Sequence, residues 1–152
     1  MLKLFEEESY QAWDFILLLL RITIGAAFIA YGLKHVIGIE GFATAFDQKF
    51  GFVMPTFLAY LSAWTELLGG VFVLLGLFTR IGGFFISFNM LVAALFVRIP
   101  SAFAEGATYL GLAGTWDKDL VYFAVGIVLM LANAGAYSLK EKLSEDSFIR
   151  KL

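Results

Sequence analysis

The sequence predicts an all-α integral membrane protein, a four-helix transmembrane bundle with short amphipathic surface helices in its loops. Three observations carry this. The chain has 152 residues, of which 61% are hydrophobic and only 16% charged, against about 45–50% and about 25% in a soluble domain. The mean hydropathy is +0.84. The apolar residues gather into four runs of roughly 17–22 residues, the length that crosses a hydrocarbon core about 30 Å thick.

Composition also narrows the chemistry. There is no cysteine and one histidine, which removes disulfides, thiolate metal sites and Fe–S ligation and disfavours a His-rich metal or haem site. No metal site and no covalently bound cofactor are expected. A formal net charge of −2 argues against nucleic acid as a partner. The acidic start, MLKLFEEESYQAWD, lacks a basic n-region and a cleavage site, so the first apolar run is read as a retained helix and not a signal peptide.

Residues 1–14 read as a polar segment lying along the interface, with Trp13 at belt level. Residues 15–139 form the transmembrane domain. Its first helix covers 15–36, contains Arg21 and closes on Lys34 and His35. Residues 37–56 are glycine-rich yet carry Phe42, Phe46, Phe50, Phe52 and Met54, too apolar for a solvated linker. They predict a short amphipathic helix on or in the membrane surface. Pro55 suits the first turn of the second helix, 57–78. That helix holds one formal charge, Glu66, at a depth where a carboxylate costs roughly 2.5–3.5 kcal/mol unless it is paired or protonated or faces water. Thr79-Arg80 turns the chain into the third helix, 81–98, ended by Arg98 and Pro100. Arg98 reads as an interface anchor. A second semi-apolar loop with Trp116 leads to the fourth helix, 120–139, and a charged tail, 140–152. Four spans put both termini on one side, with Lys3, Arg80, Lys140, Lys142, Arg150 and Lys151 against Lys34, Lys49, Arg98 and Lys118. The bias puts both termini in the cytoplasm.

Helices one and two share G-x-x-F-x-x-x-G-L, at Gly25–Leu33 and Gly69–Leu77. Glycines seven apart share a face and allow close approach, so a tight seam between these helices is expected. Each span also carries one strongly polar residue. At a rise of 1.5 Å per residue, Arg21 and Asn133 lie about 9 Å in from the terminal side, Asn89 about 12 Å and Glu66 about 18 Å. The expectation is a buried cluster. Arg21 and Glu66 form an ion pair, and Asn89 and Asn133 take the remaining donors and acceptors. Such a cluster either fixes helix register or lines a site for a polar headgroup or a proton path. Lys34 and His35 read as C-terminal dipole partners; His35 as a proton donor to a ligand is the second reading.

The motifs Arg21-x3-Gly25-x2-Phe28-x3-Gly32-x-Lys34 and Glu66-x2-Gly69-Gly70-x3-Leu74-x-Gly76-Leu77-x-Thr79-Arg80 resemble the DoxX/DoxD-like family of small four-helix membrane proteins. The stretch Gly135-Ala-Tyr137-Ser138-Leu139 matches less closely. The family tends to read G-x-G-x-x-S-L-D there, and this chain has Asn133 at the first glycine and Lys140 at the aspartate. Some members resemble subunits of thiosulfate–quinone oxidoreductase or accompany terminal oxidases. Others belong to oxidoreductase complexes of oxidative-stress defence. The resemblance therefore implies a subunit in a respiratory or redox setting in the cytoplasmic (inner) membrane. The polar residues themselves make Arg21, Glu66, Asn89, Asn133, Lys34 and His35 the candidates for holding quinone or lipid or relaying a proton. Expected partners are membrane lipid, a redox protein complex and further copies of the chain. A non-catalytic accessory subunit is the alternative, and a small-solute transporter a weaker one.

Overall fold

The computed structural model describes residues 2–48, 51–104 and 117–145. These residues form helices without strands: α1 Leu2–Ile37, α2 Ile39–Gln48, α3 Pro55–Leu75, α4 Thr79–Val92, a π-helical turn Ala93–Arg98, α5 Ile99–Ala104, α6 Asp117–Leu131 and α7 Leu139–Glu145. Three stretches are long and apolar enough to cross a membrane: Tyr10–Ile37, Pro55–Leu75 and Thr79–Ser101. The protein is an all-α integral membrane protein. Residues 2–14 of the expected interfacial segment are helical and continuous with the first span in α1, which runs unbroken for 36 residues. The loop at Trp116, Lys49 and most of the charged tail lie outside the described residues.

α1 packs on α3, α3 on α4 and α4 on α6, while α6 meets α1 lightly. Part of that last contact is the edge-on pair Phe28–Tyr122, with centroids 5.4 Å apart. The core is Ile24, Phe28, Val73, Ile86, Met90 and Leu129. The expected α1–α3 seam is present, and it is backbone against backbone. A Cβ built at Gly32 would lie 2.5 Å from the Leu67 nitrogen, and one at Gly70 would lie 2.7 Å from the Ile29 nitrogen. Gly82 against Gly69, and Gly83 against Gly126, repeat the device at the α3–α4 and α4–α6 contacts. Lipid tails are as apolar as leucine, so close packing and not solvent exclusion holds such helices together. Gly32→Ala is expected to destabilise the bundle by about 1–3 kcal/mol, because the neighbouring backbone cannot yield as a side chain would. Gly41, on α2, has nothing within 4 Å of its virtual Cβ. Gly41→Ala is expected to be neutral or stabilising by up to about 1 kcal/mol. Thermal unfolding in detergent separates the two; equal losses would contradict the seam.

Two of the helix boundaries that differ from the expectation have a clear local cause. The third span continues past Arg98 and Pro100 because the π-turn intervenes. The Ile99 N–H bonds to the Ala94 carbonyl, five residues back, and Pro100, which has no N–H, falls in the first turn of the next segment. The fourth helix ends at Leu131 and not near residue 139. Asn133 (φ 62°) and Gly135 (φ 73°) take left-handed conformations there, and the chain bends back over the end of the bundle before α7.

Candidate functional site

The ion pair expected between Arg21 and Glu66 is not formed. Arg21 is 2% exposed, and every hydrogen bond it makes goes to a backbone carbonyl. Nε donates to Val73 O at 3.1 Å and Nη2 to Leu74 O at 3.2 Å. Nη1 donates to Ala134 O at 2.7 Å and to Tyr137 O at 3.2 Å. The last carbonyls of a helix have no partner within it. α3 ends at Gly76, in a left-handed conformation (φ 69°) whose N–H bonds back to Phe72 O and Val73 O. The guanidinium lies directly over this glycine, and any Cβ at position 76 would collide with Nη2. Arg21 therefore closes two chain ends at once, that of α3 and the bend after α6. Asp14, two turns earlier on α1, accepts from the Ala136 N–H at 3.0 Å and holds the same bend.

Glu66 meets His35 instead. Glu66 Oε2 lies 2.6 Å from His35 Nδ1, and the side chains are 7% and 25% exposed. The antiparallel seam explains the choice. Gly32 touches Leu67 and Gly25 touches Leu74, so the last turn of α1 stands level with Glu66. Arg21 lies fourteen residues before His35, about 21 Å back along the helix. The His35 ring is held from its other side by Phe42 of α2, stacked at 4.0 Å and 4°.

His35 and Glu66 form part of the wall of a cavity of about 460 Å³. Phe42, Phe46 and Phe52 cover one side, Ser62 and Thr65 of α3 another, and Asn89 with the π-turn a third. The sequence-predicted residues thus divide. Glu66, His35 and Asn89 share this cavity. Asn89 is tied to Ser62, whose hydroxyl donates to Asn89 Oδ1 at 3.0 Å while Nδ2 donates to Ser62 O at 3.3 Å. Asn133 is exposed in the bend beyond α6, near the Arg21 end, and Lys34 is exposed on the last turn of α1. Neither lines the cavity. Leu61, Phe84 and Phe88 line it and are also half-exposed on the outer faces of α3 and α4. All three lie within stretches long and apolar enough to cross a membrane.

Three contributors were not singled out from the sequence. Ser62 stands one turn before Glu66 on the same face, a spacing that could have flagged it. Phe42 and Asp119 carried no comparable signal. Asp119, in the first turn of α6, is 4% exposed and pairs with Arg98, Nε to Oδ2 at 3.4 Å. Among the described residues no group of three or more His, Asp or Glu side chains could hold a metal ion.

Comparison with known proteins agrees with the pattern of motifs. A Bacillus subtilis (strain 168) protein described as "Putative oxidoreductase CatD" is 38% identical over 93 residues, covering 60% of this chain and 66% of that protein, just under two thirds of its length. "Uncharacterized membrane protein Rv3486" of Mycobacterium tuberculosis is 26% identical over 83% of this chain and 80% of its own length. An uncharacterized Haemophilus influenzae protein is 25% identical over 89% of this chain and 94% of its own. No solved structure matches. The DoxX family matches residues 16–99, more than half of the chain and the whole of the Arg21, His35, Glu66 and Asn89 framework. The chain belongs to the DoxX family.

Proposed function

We propose that this protein is a membrane subunit of a redox complex and that it binds a lipid-soluble quinone in the His35–Glu66 cavity. One observation carries the reading: a cavity between helices of membrane-spanning length, walled by aromatic rings and bearing a histidine–carboxylate pair. Its volume, about 460 Å³, lies within the range of about 300–1,000 Å³ typical of small-molecule sites. A flat ring suits the Phe42–Phe46–Phe52 side. A ring carbonyl is an acceptor; His35 and the second Nδ2 hydrogen of Asn89 bring potential donors, the Ser62 and Thr65 hydroxyls being engaged with Asn89 Oδ1 and the Ser62 carbonyl. The half-exposed Leu61, Phe84 and Phe88 of the lining would take an apolar tail. The "oxidoreductase" in the name of the Bacillus subtilis relative supports a redox setting.

Quinones take up two electrons and two protons; the electrons would come from a partner protein. This chain's part is binding and proton supply. Glu66 engages Nδ1 and so directs the opposite nitrogen, Nε2, away from itself. The carboxylate is also the counter-charge of an imidazolium, the form that carries a proton on Nε2 for a ligand oxygen. The accessory-subunit reading is favoured by Arg21, whose four hydrogen bonds all go to carbonyls at the end of α3 and in the bend after α6, but it leaves the cavity unexplained.

Protein purified from membranes in mild detergent is expected to carry quinone in an organic extract, at a substantial fraction of one per chain. Wild-type protein that carries none, and takes up none from added short-chain quinone, would overturn the reading.

A further inference from the structure

We infer that Arg98 is a second ligand-contacting residue of this cavity, donating from the outer edge of its guanidinium to a second acceptor on a planar ligand, with Asp119 as its positioning residue. The inference rests on the quinone reading and narrows it to a ring with two separated acceptors, such as a 1,4-quinone.

The π-turn is the first reason. A wide turn places one extra residue in the helix and shifts the faces of everything after it. Here it covers Ala93–Arg98, and three of its residues, Ala93, Val97 and Arg98, line the cavity. π-turns of this kind are frequent where a helix presents a functional group. Arg98 thus reaches the cavity from the α4–α6 wall, whereas His35 reaches it from α1.

The pairing geometry is the second reason. Asp119 approaches Arg98 through Nε at 3.4 Å. The two Nη nitrogens, with four N–H groups, have no acceptor among the described residues, and the side chain is half-exposed. Asp119 Oδ2 is itself fully buried and makes no hydrogen bond. The carboxylate thus holds the guanidinium by charge and leaves its donor edge open. An arginine serving only as an interface anchor needs no buried counter-charge on another helix. The planar fork also matters: a lysine in the same place would offer a point charge, not a directed pair of donors. Asp119 lies in the first turn of α6, where the helix end favours a carboxylate without Arg98. Arg98→Gln is therefore expected to fold.

The test compares two ligands on the purified protein: a 2-alkyl-1,4-naphthoquinone, and the 2-alkyl-1-tetralone that keeps the tail and a fused ring but has one carbonyl. Wild type is expected to bind the quinone at least about tenfold more tightly, the worth of one charge-assisted hydrogen bond. Arg98→Gln should erase that preference, weakening the quinone by about ten- to a hundredfold and the tetralone by less than about twofold. Asp119→Asn should weaken the quinone in the wild-type background and add nothing in the Arg98→Gln background, since it acts through Arg98. If Arg98→Gln weakens both ligands alike, or neither, the assignment of Arg98 falls and quinone binding stands. If wild type binds neither ligand, both fall.

Discussion

Arg21→Ala is expected to be the most destabilising single substitution in the transmembrane domain, at about 3 kcal/mol or more, from four hydrogen bonds at roughly 0.6–1.7 kcal/mol each. The side chain donates to Val73, Leu74, Ala134 and Tyr137. Removing it leaves the Leu74 carbonyl of α3 and the Ala134 and Tyr137 carbonyls of the bend without this donor, while Val73 O keeps only the Gly76 N–H. Arg21→Lys should recover little. An ammonium has three donors on a flexible stem and cannot reach two chain ends as a planar fork does. The measurement is the thermal midpoint in detergent, with proteolysis at residues 132–138 as a local probe. A midpoint close to wild type for Arg21→Ala would remove the capping role.

Glu66→Gln is expected to show the opposite profile. Stability should change by less than about 1 kcal/mol, because glutamine keeps the shape and can still hydrogen-bond Nδ1. Affinity for a short-chain quinone should fall by about ten- to a hundredfold, since a charge-assisted donor is lost. In the Glu66→Gln variant an imidazolium at His35 has no counter-charge. A neutral ring then either turns a lone pair toward the ligand oxygen or donates without charge assistance. Equilibrium binding and thermal unfolding on the same preparation give both numbers. Unchanged affinity, or unfolding without ligand loss, would contradict the role assigned to Glu66.

The two profiles differ because the polar residues divide between two ends of the bundle, and the sequence did not reveal that division. It did reveal three of the four expected spans, the glycine seam and the short helix at 39–48, all of which follow from local pattern. It also showed that Glu66 needs a partner. The partner depends on the register between α1 and α3, which depth estimates for separate helices do not supply. Counting Arg21 six residues in from a helix start at residue 15 sets it too deep: in the seam it stands level with residue 78, twelve residues or about 18 Å from Glu66. The register was in fact implicit in the repeated glycines: seating Gly25 and Gly32 against Leu74 and Leu67 puts His35, not Arg21, level with Glu66. The end of the fourth helix was legible too. Ser138-Leu-Lys-Glu141 has the sequence of a capping box, and the Ser138 hydroxyl accepts from the Glu141 N–H at 3.2 Å, so a new helix begins at Leu139. The cavity was not legible. It depends on Phe42 folding back onto His35 and on a π-turn that no periodicity announces.

The claim that ligand binding belongs to the His35–Glu66 end, and bundle closure to the Arg21 end, is tested most directly by photolabelling. A short-chain quinone carrying a photoreactive group is activated on the membrane-embedded protein, and the labelled residues are located by mass spectrometry. Labels are expected within residues 35–66 and 84–98, and excess unlabelled quinone should suppress them. Suppressible labels around Arg21 and residues 132–138, or none at all, would contradict the account.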